Sequence, residues 1–85
     1  MSAATQIFAP EFDEAFFRLP VEIQKRVDEK LFSVGLRLND FPHYRMTGSD
    51  RFRLRVGDYR IIYRCDFEKN CLILLMIGHR REIYR

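Results

Sequence analysis

Arg51-Phe52-Arg53-Leu54-Arg55-Val56-Gly57-Asp58-Tyr59-Arg60 is the stretch that decides how this 85-residue chain folds. Phe52, Leu54 and Val56 alternate with Arg51, Arg53 and Arg55. A period of two marks a half-buried strand. One face sends three apolar side chains into a core, and the other holds three guanidinium groups in a row. Gly57-Asp58 carries the turn chemistry of a tight hairpin. Tyr59-Arg60-Ile61-Ile62-Tyr63-Arg64 begins the returning strand and sets more positive charge beside the first row. Like charges held side by side on a sheet repel. A face built this way is costly unless something anionic comes to it, and a polyphosphate chain is the obvious candidate.

Working outward, Cys71-Leu-Ile-Leu-Leu-Met-Ile77 is apolar without alternation, as suits an interior strand covered on both faces. With strands at about 51–56 and 59–66 it completes the second half of the fold. Upstream, residues 5–9 are short and β-prone. Pro10 fits the first turn of a helix, Glu11, Asp13 and Glu14 favour its dipole, and Phe12 and Phe16 stand one turn apart. Pro20 breaks this helix and starts another. There Ile23, Val27, Leu31, Val34 and Leu38 recur at helical spacing against a mixed-sign outer face, with Asn39-Asp40-Phe41-Pro42 as the stop. His43 to Asp50 reads as a polar connection. The expected architecture is α+β in the order β-α-α-β-β-β. A helical hairpin packs on one face of a small, mostly antiparallel four-stranded sheet, within one domain spanning 1–85.

An apolar fraction of 47% is that of a globular protein. There is no apolar run of about 18 residues to span a membrane and no secretory signal, so a cytoplasmic location is expected. The net charge of +3 hides an asymmetry. Residues 1–42 hold five Lys and Arg against seven Asp and Glu, whereas residues 43–85 hold ten against five. All ten but Lys69 are arginine, the residue suited to planar, bidentate phosphate contacts. If Asp66 sits opposite Cys71, then Cys65 and Cys71 point to opposite faces and cannot bridge. Their spacing is also poor for zinc, so no metal and no cofactor is expected.

The chain contains no phosphate-loop, zinc-protease or serine-hydrolase motif. Its concentrated resource is arginine, with His79 and several tyrosines. Guanidinium groups stay charged and are poor bases, but they stabilise charge developing on phosphate oxygens. His79 could move a proton near neutral pH, and Tyr84 could stack on a base or take part in proton transfer. RNA carries its own nucleophile, the 2′-hydroxyl, so an enzyme that only aligns it needs no metal.

Phe52-Arg53-Leu54-Arg55-Val56-Gly57-Asp58-Tyr59-Arg60-Ile61-Ile62-Tyr63, followed by Gly78-His79-Arg80-Arg81-Glu82-Ile83-Tyr84-Arg85, resembles the RelE/ParE superfamily of bacterial and archaeal toxins. Leu19-Pro20 between the helices and Gly48-Ser49-Asp50 before the arginine strand match as well. The resemblance implies the RelE-like fold and the toxin role of a type II toxin–antitoxin system. In the RelE branch that role is a metal-free endoribonuclease, an mRNA interferase. It enters the ribosomal A site and cuts messenger RNA by 2′-hydroxyl attack, leaving a 2′,3′-cyclic phosphate and inhibiting translation. By position, the resemblance assigns catalytic roles to Arg53, Arg55, Arg60 and Arg80, with Tyr84 orienting or deprotonating the nucleophile and His79 as an acid or base. Arg45, Arg51 and Arg81 are candidate RNA contacts. Active relatives often carry lysine at the positions of Arg53 and Arg55, and arginine there keeps the charge but loses easy proton transfer. The implied partners are a cognate antitoxin, the ribosome with its mRNA, and operator DNA through the antitoxin complex. The ParE branch implies instead a non-enzymatic inhibitor of DNA gyrase, and a degenerate member would bind only antitoxin and operator.

Overall fold

The alternating run forms β3 (Phe52–Val56), with Phe52, Leu54 and Val56 buried and Arg53 and Arg55 exposed. The structure, a computed structural model, describes residues 2–83. β3 reverses through Gly57-Asp58 into β4 (Tyr59–Asp66), with Val56 directly opposite Tyr59. Gly57 has φ +59°, in the left-handed region that L side chains avoid. A Cβ there would also stand 3.2 Å from the Arg26 guanidinium. Gly57→Ala is therefore expected to cost about 1–2 kcal/mol of stability, read from the urea unfolding midpoint.

β4 turns at Glu68-Lys69 into β5 (Cys71–His79), which runs antiparallel to it. Asn70 takes φ 52° in this turn, and Asp66 Oδ1 accepts the Lys69 N–H at 3.1 Å. β1 (Thr5–Phe8) pairs parallel with β5, Thr5 against Cys71 and Phe8 against Leu74. The unalternating apolar strand thus lies between two neighbours, as expected, but it is not covered on both faces: Leu72, Leu74 and Ile77 are buried on the helix side, while Met76 is exposed.

The sequence reading counts four strands, and the sheet has five. Tyr44–Arg45, inside the connection read as polar loop, forms a two-residue β2 against Arg53 and Phe52. The strand order is β1-β5-β4-β3-β2. β5 also runs two residues past Ile77, because Gly78 pairs with Arg60 and His79 with Tyr59.

One face of the sheet is covered by the helical hairpin. α1 (Pro10–Phe17) packs on β5, and α2 (Val21–Leu36) comes alongside β3. Pro10 opens α1, while Pro20 is the N-cap of α2, its carbonyl accepting from Ile23 and Gln24. Phe12, Phe16, Val27, Leu31 and Val34 are buried in one core with Phe52, Leu54, Val56, Ile61, Leu72 and Leu74. Each such side chain contributes about 1.5–3 kcal/mol by leaving water. α2 ends at Leu36, ahead of the expected stop at Asn39-Asp40-Phe41-Pro42. Arg37 caps it through its N–H to the Val34 carbonyl, and Leu38 still reaches the core.

His43 anchors the connection that follows. Its Nε2 lies 2.7 Å from the Leu38 carbonyl, which can only accept, so this nitrogen carries the proton. Nδ1 then accepts the Tyr63 hydroxyl proton at 2.6 Å. The ring stacks on Phe52 at 4.9 Å, and Tyr63 is fully buried. A polar segment is thereby fixed to the core by one imidazole.

Asp66 sits opposite Cys71, so Cys65 and Cys71 point to opposite faces, and both are free thiols. Burial pushes the Cys65 thiol from an ordinary 9.0 up to about 11. Burial first, then Cys65, raises the Tyr63 phenol as well. Because the unfolded chain loses these protons first, the stability they contribute is full below pH 9 and is lost progressively as the pH rises toward 11. Urea midpoints are expected to fall across that window, and Cys65→Ala should flatten the fall.

Candidate functional site

The face away from the helices is set by strand register. Arg53 stands opposite Ile62, and Arg55 stands directly opposite Arg60. The Arg55–Arg60 pair puts two guanidinium groups at adjacent cross-strand positions, an arrangement that opposes folding by about 0.2–1 kcal/mol. Arg60 is partly buried. Its Nη1 donates to the carbonyls of Gly57 at 2.9 Å and Tyr59 at 3.0 Å. The hairpin turn thus aims this side chain and leaves Nη2 and Nε for another partner.

At the sheet edge β2 pairs only with Phe52 and Arg53. Beyond it a cleft of about 550 Å³ opens between β3 and α2, lined by Lys30, Phe41, Pro42, Tyr44, Arg53, Leu54, Arg55 and Arg60. Three of the arginines singled out from the sequence therefore share one concavity. A neighbouring cleft, lined in part by Arg26, Lys30 and Arg55, carries the positive surface onto α2.

Arg80 does not line this cleft. It stands at the Gly57-Asp58 turn, its N–H donating to the Asp58 carbonyl at 2.8 Å and its Nε 3.9 Å from Asp58 Oδ1. His79 lies in register with Tyr59, their rings edge to face at 5.8 Å. Its Nδ1 accepts the Arg81 N–H at 3.3 Å, so the neutral ring carries its proton on Nε2. The turn after β5 brings Ile83 over Gly78, beside Arg60. Arg51 and Arg81 are exposed at the ends of β3 and β5. Arg45 is in register with Phe52 and lies over its ring at 5.4 Å, on the face opposite Arg53. Tyr84 lies outside the described residues. Among the described residues, no three His, Cys, Asp or Glu side chains cluster closely enough to hold a metal ion. No helix among them is long and apolar enough to cross a membrane.

Sequence reasoning missed Lys30 and Tyr44. Lys30 belongs to the mixed-sign face of α2, and nothing in helical periodicity says which lysine will meet a distant strand. Tyr44 sits on a strand too short to show a period.

Residues 7–84 match the family described as the ParE toxin of type II toxin–antitoxin systems, parDE. Toxin RelG of Mycobacterium tuberculosis is 44% identical over 34 residues, 40% of this chain and 39% of its own. The chain thus matches well under half the length of that curated relative. Among solved structures, the RelBE2 toxin–antitoxin complex of M. tuberculosis superposes with a TM-score of 0.76 at 27% identity, covering 96% of this chain and 97% of that one. The isolated E. coli RelE toxin does so at 0.79 and 19%, covering 96% and 92%. The archaeal RelE–RelB complex of Pyrococcus horikoshii gives 0.77 and 21%, covering 95% and 99%. With the family match running along nearly the whole sequence and the fold superposing over nearly the whole of both chains, this chain belongs to the ParE toxin family of type II toxin–antitoxin systems, within the RelE/ParE superfamily.

Proposed function

We propose that this toxin is a ribosome-dependent endoribonuclease that cuts mRNA in the A site by activating the RNA's own 2′-hydroxyl. The observation that carries this reading is the Arg55–Arg60 pair, forced together by strand register and facing one cleft with Arg53 and Lys30. Such a site is unfavourable empty and suited to a phosphate carrying extra charge. In the reaction the 2′-oxygen bonds to the adjacent phosphorus, and the bond to the 5′-oxygen breaks. The 2′ proton leaves to a base, and the departing 5′-oxygen takes one up. Arg53, Arg55 and Arg60 hold the charge that grows on the non-bridging oxygens. Arg80, at the adjacent turn, extends that field. Tyr84 orients or deprotonates the nucleophile. His79 serves as the donor to the leaving oxygen in its imidazolium form, giving the proton from Nε2, with the 3.3 Å contact of Nδ1 to the Arg81 N–H given up while the ring is charged. Arg45, Arg51 and Arg81 contact the RNA backbone outside the cleft.

The partners of this reading are the ribosome with its mRNA and a cognate antitoxin. The solved relatives include toxin–antitoxin complexes, and acidic antitoxin side chains would relieve the same repulsion. Operator DNA is reached through that complex. Toeprinting on translating ribosomes tests the activity. The expected result is cleavage within the A-site codon, leaving a 2′,3′-cyclic phosphate. The ParE family match favours a second reading, gyrase inhibition. Accumulation of cleaved supercoiled plasmid with mRNA intact would select it over the first.

A further inference from the structure

The cleft lining interleaves two chemistries. Lys30, Arg53, Arg55 and Arg60 are cationic, while Phe41, Pro42, Tyr44 and Leu54 are aromatic or apolar. Tyr44 is 66% exposed and takes no part in the buried core. It is nevertheless held in place. It is the cross-strand partner of Arg53, whose guanidinium lies 5.0 Å from the centre of its ring. Phe41, in contrast, is already engaged, with the His43 ring at 5.2 Å, the Lys30 ammonium at 5.7 Å and the Arg37 guanidinium at 5.9 Å.

We propose that Tyr44 is a base-stacking platform, on which a nucleobase lies against the ring face away from Arg53 while its phosphate reaches Arg55 and Arg60. This rests on the RNA reading above and adds to it the subsite for the base. A flat aromatic ring beside fixed positive charge matches the two halves of a nucleotide. The guanidinium behind the ring holds it in one orientation, so little ordering remains when the base arrives. Every base has a π-face, so the platform tolerates any sequence, and a purine, with the larger ring system, gains most.

The test is fluorescence anisotropy with two labelled trinucleotides. One is 2′-O-methyl RNA, which binds without being cut. The other has the same backbone with its bases removed. Tyr44→Ala is expected to weaken the base-bearing ligand about tenfold and leave the abasic ligand unchanged, with Tyr44→Phe close to the parent chain. Equal affinity of Tyr44→Ala and the parent for the base-bearing ligand overturns the subsite alone and leaves the RNA reading standing. Equal weakening of both ligands overturns it too, because the ring would then act through Arg53 rather than through a base. If the parent chain binds neither trinucleotide, the subsite fails, while the RNA reading stands or falls separately on A-site cleavage by the ribosome-bound toxin.

Discussion

Arg60→Ala is expected to slow the proposed A-site cleavage about a hundredfold to a thousandfold, the loss that follows when one fixed donor to a charged transition state is removed. Arg60 should be the most sensitive of the cleft arginines because its guanidinium is hydrogen-bonded to the hairpin backbone. Its Nη1 is tied to the Gly57 and Tyr59 carbonyls, so the guanidinium does not have to be ordered during the reaction. Arg60→Lys is expected to recover little, since an ammonium group lacks the fork that bridges turn and phosphate. Stability should move in the opposite sense at the facing position. Arg55→Gln relieves the like-charge contact while leaving the two backbone hydrogen bonds of Arg60 in place, so its urea midpoint is expected to correspond to a gain of about 0.2–1 kcal/mol while activity falls. A loss of stability together with unchanged cleavage would mean that the pair is ordinary surface charge.

The second large effect concerns folding. His43→Ala removes the acceptor of the Tyr63 hydroxyl, a group with no access to water, and takes the imidazole off the Phe52 ring. A buried hydroxyl left without its partner costs about 1–3 kcal/mol, and a lost aromatic contact adds about 0.5–1.5. The expected destabilisation is about 2–4 kcal/mol by equilibrium urea unfolding, a large share of the stability of so small a domain. The double replacement His43→Phe with Tyr63→Phe is expected to regain a good part of it, because neither hydroxyl nor imidazole is then stranded. Should the double variant be as unstable as His43→Ala, the loss would lie in the freed Leu38 carbonyl instead.

These cases show what a sequence reading can reach. Arg53, Arg55 and Arg60 were legible because side-chain parity on a hairpin follows from alternation and a Gly-Asp turn. The apolar spacing of α2 was legible for the same kind of reason. Parity carries no information across a connection of unknown shape, so Tyr44 and Arg45 were invisible as a strand, and Arg45 falls on the face opposite Arg53. His43 looked like loop polarity because its two partners, Leu38 and Tyr63, lie 5 and 20 residues away. Arg80 and His79 follow a strand end, where the chain turns and alternation stops deciding direction. Lys30 reaches the cleft only because α2 comes alongside β3 past the short β2.

The parallel partnership of β1 with β5 sets a schedule. Residues 5–8 can find their places only when residues 71–74 are at hand, so a chain growing on the ribosome cannot close its sheet before that late strand has emerged. The Arg55–Arg60 hairpin leaves the exit tunnel earlier, but its apolar side has nothing settled to lie on. The cationic hairpin is therefore made before the strand that ties its sheet together, and it gains a settled backing only once β5 has met β1.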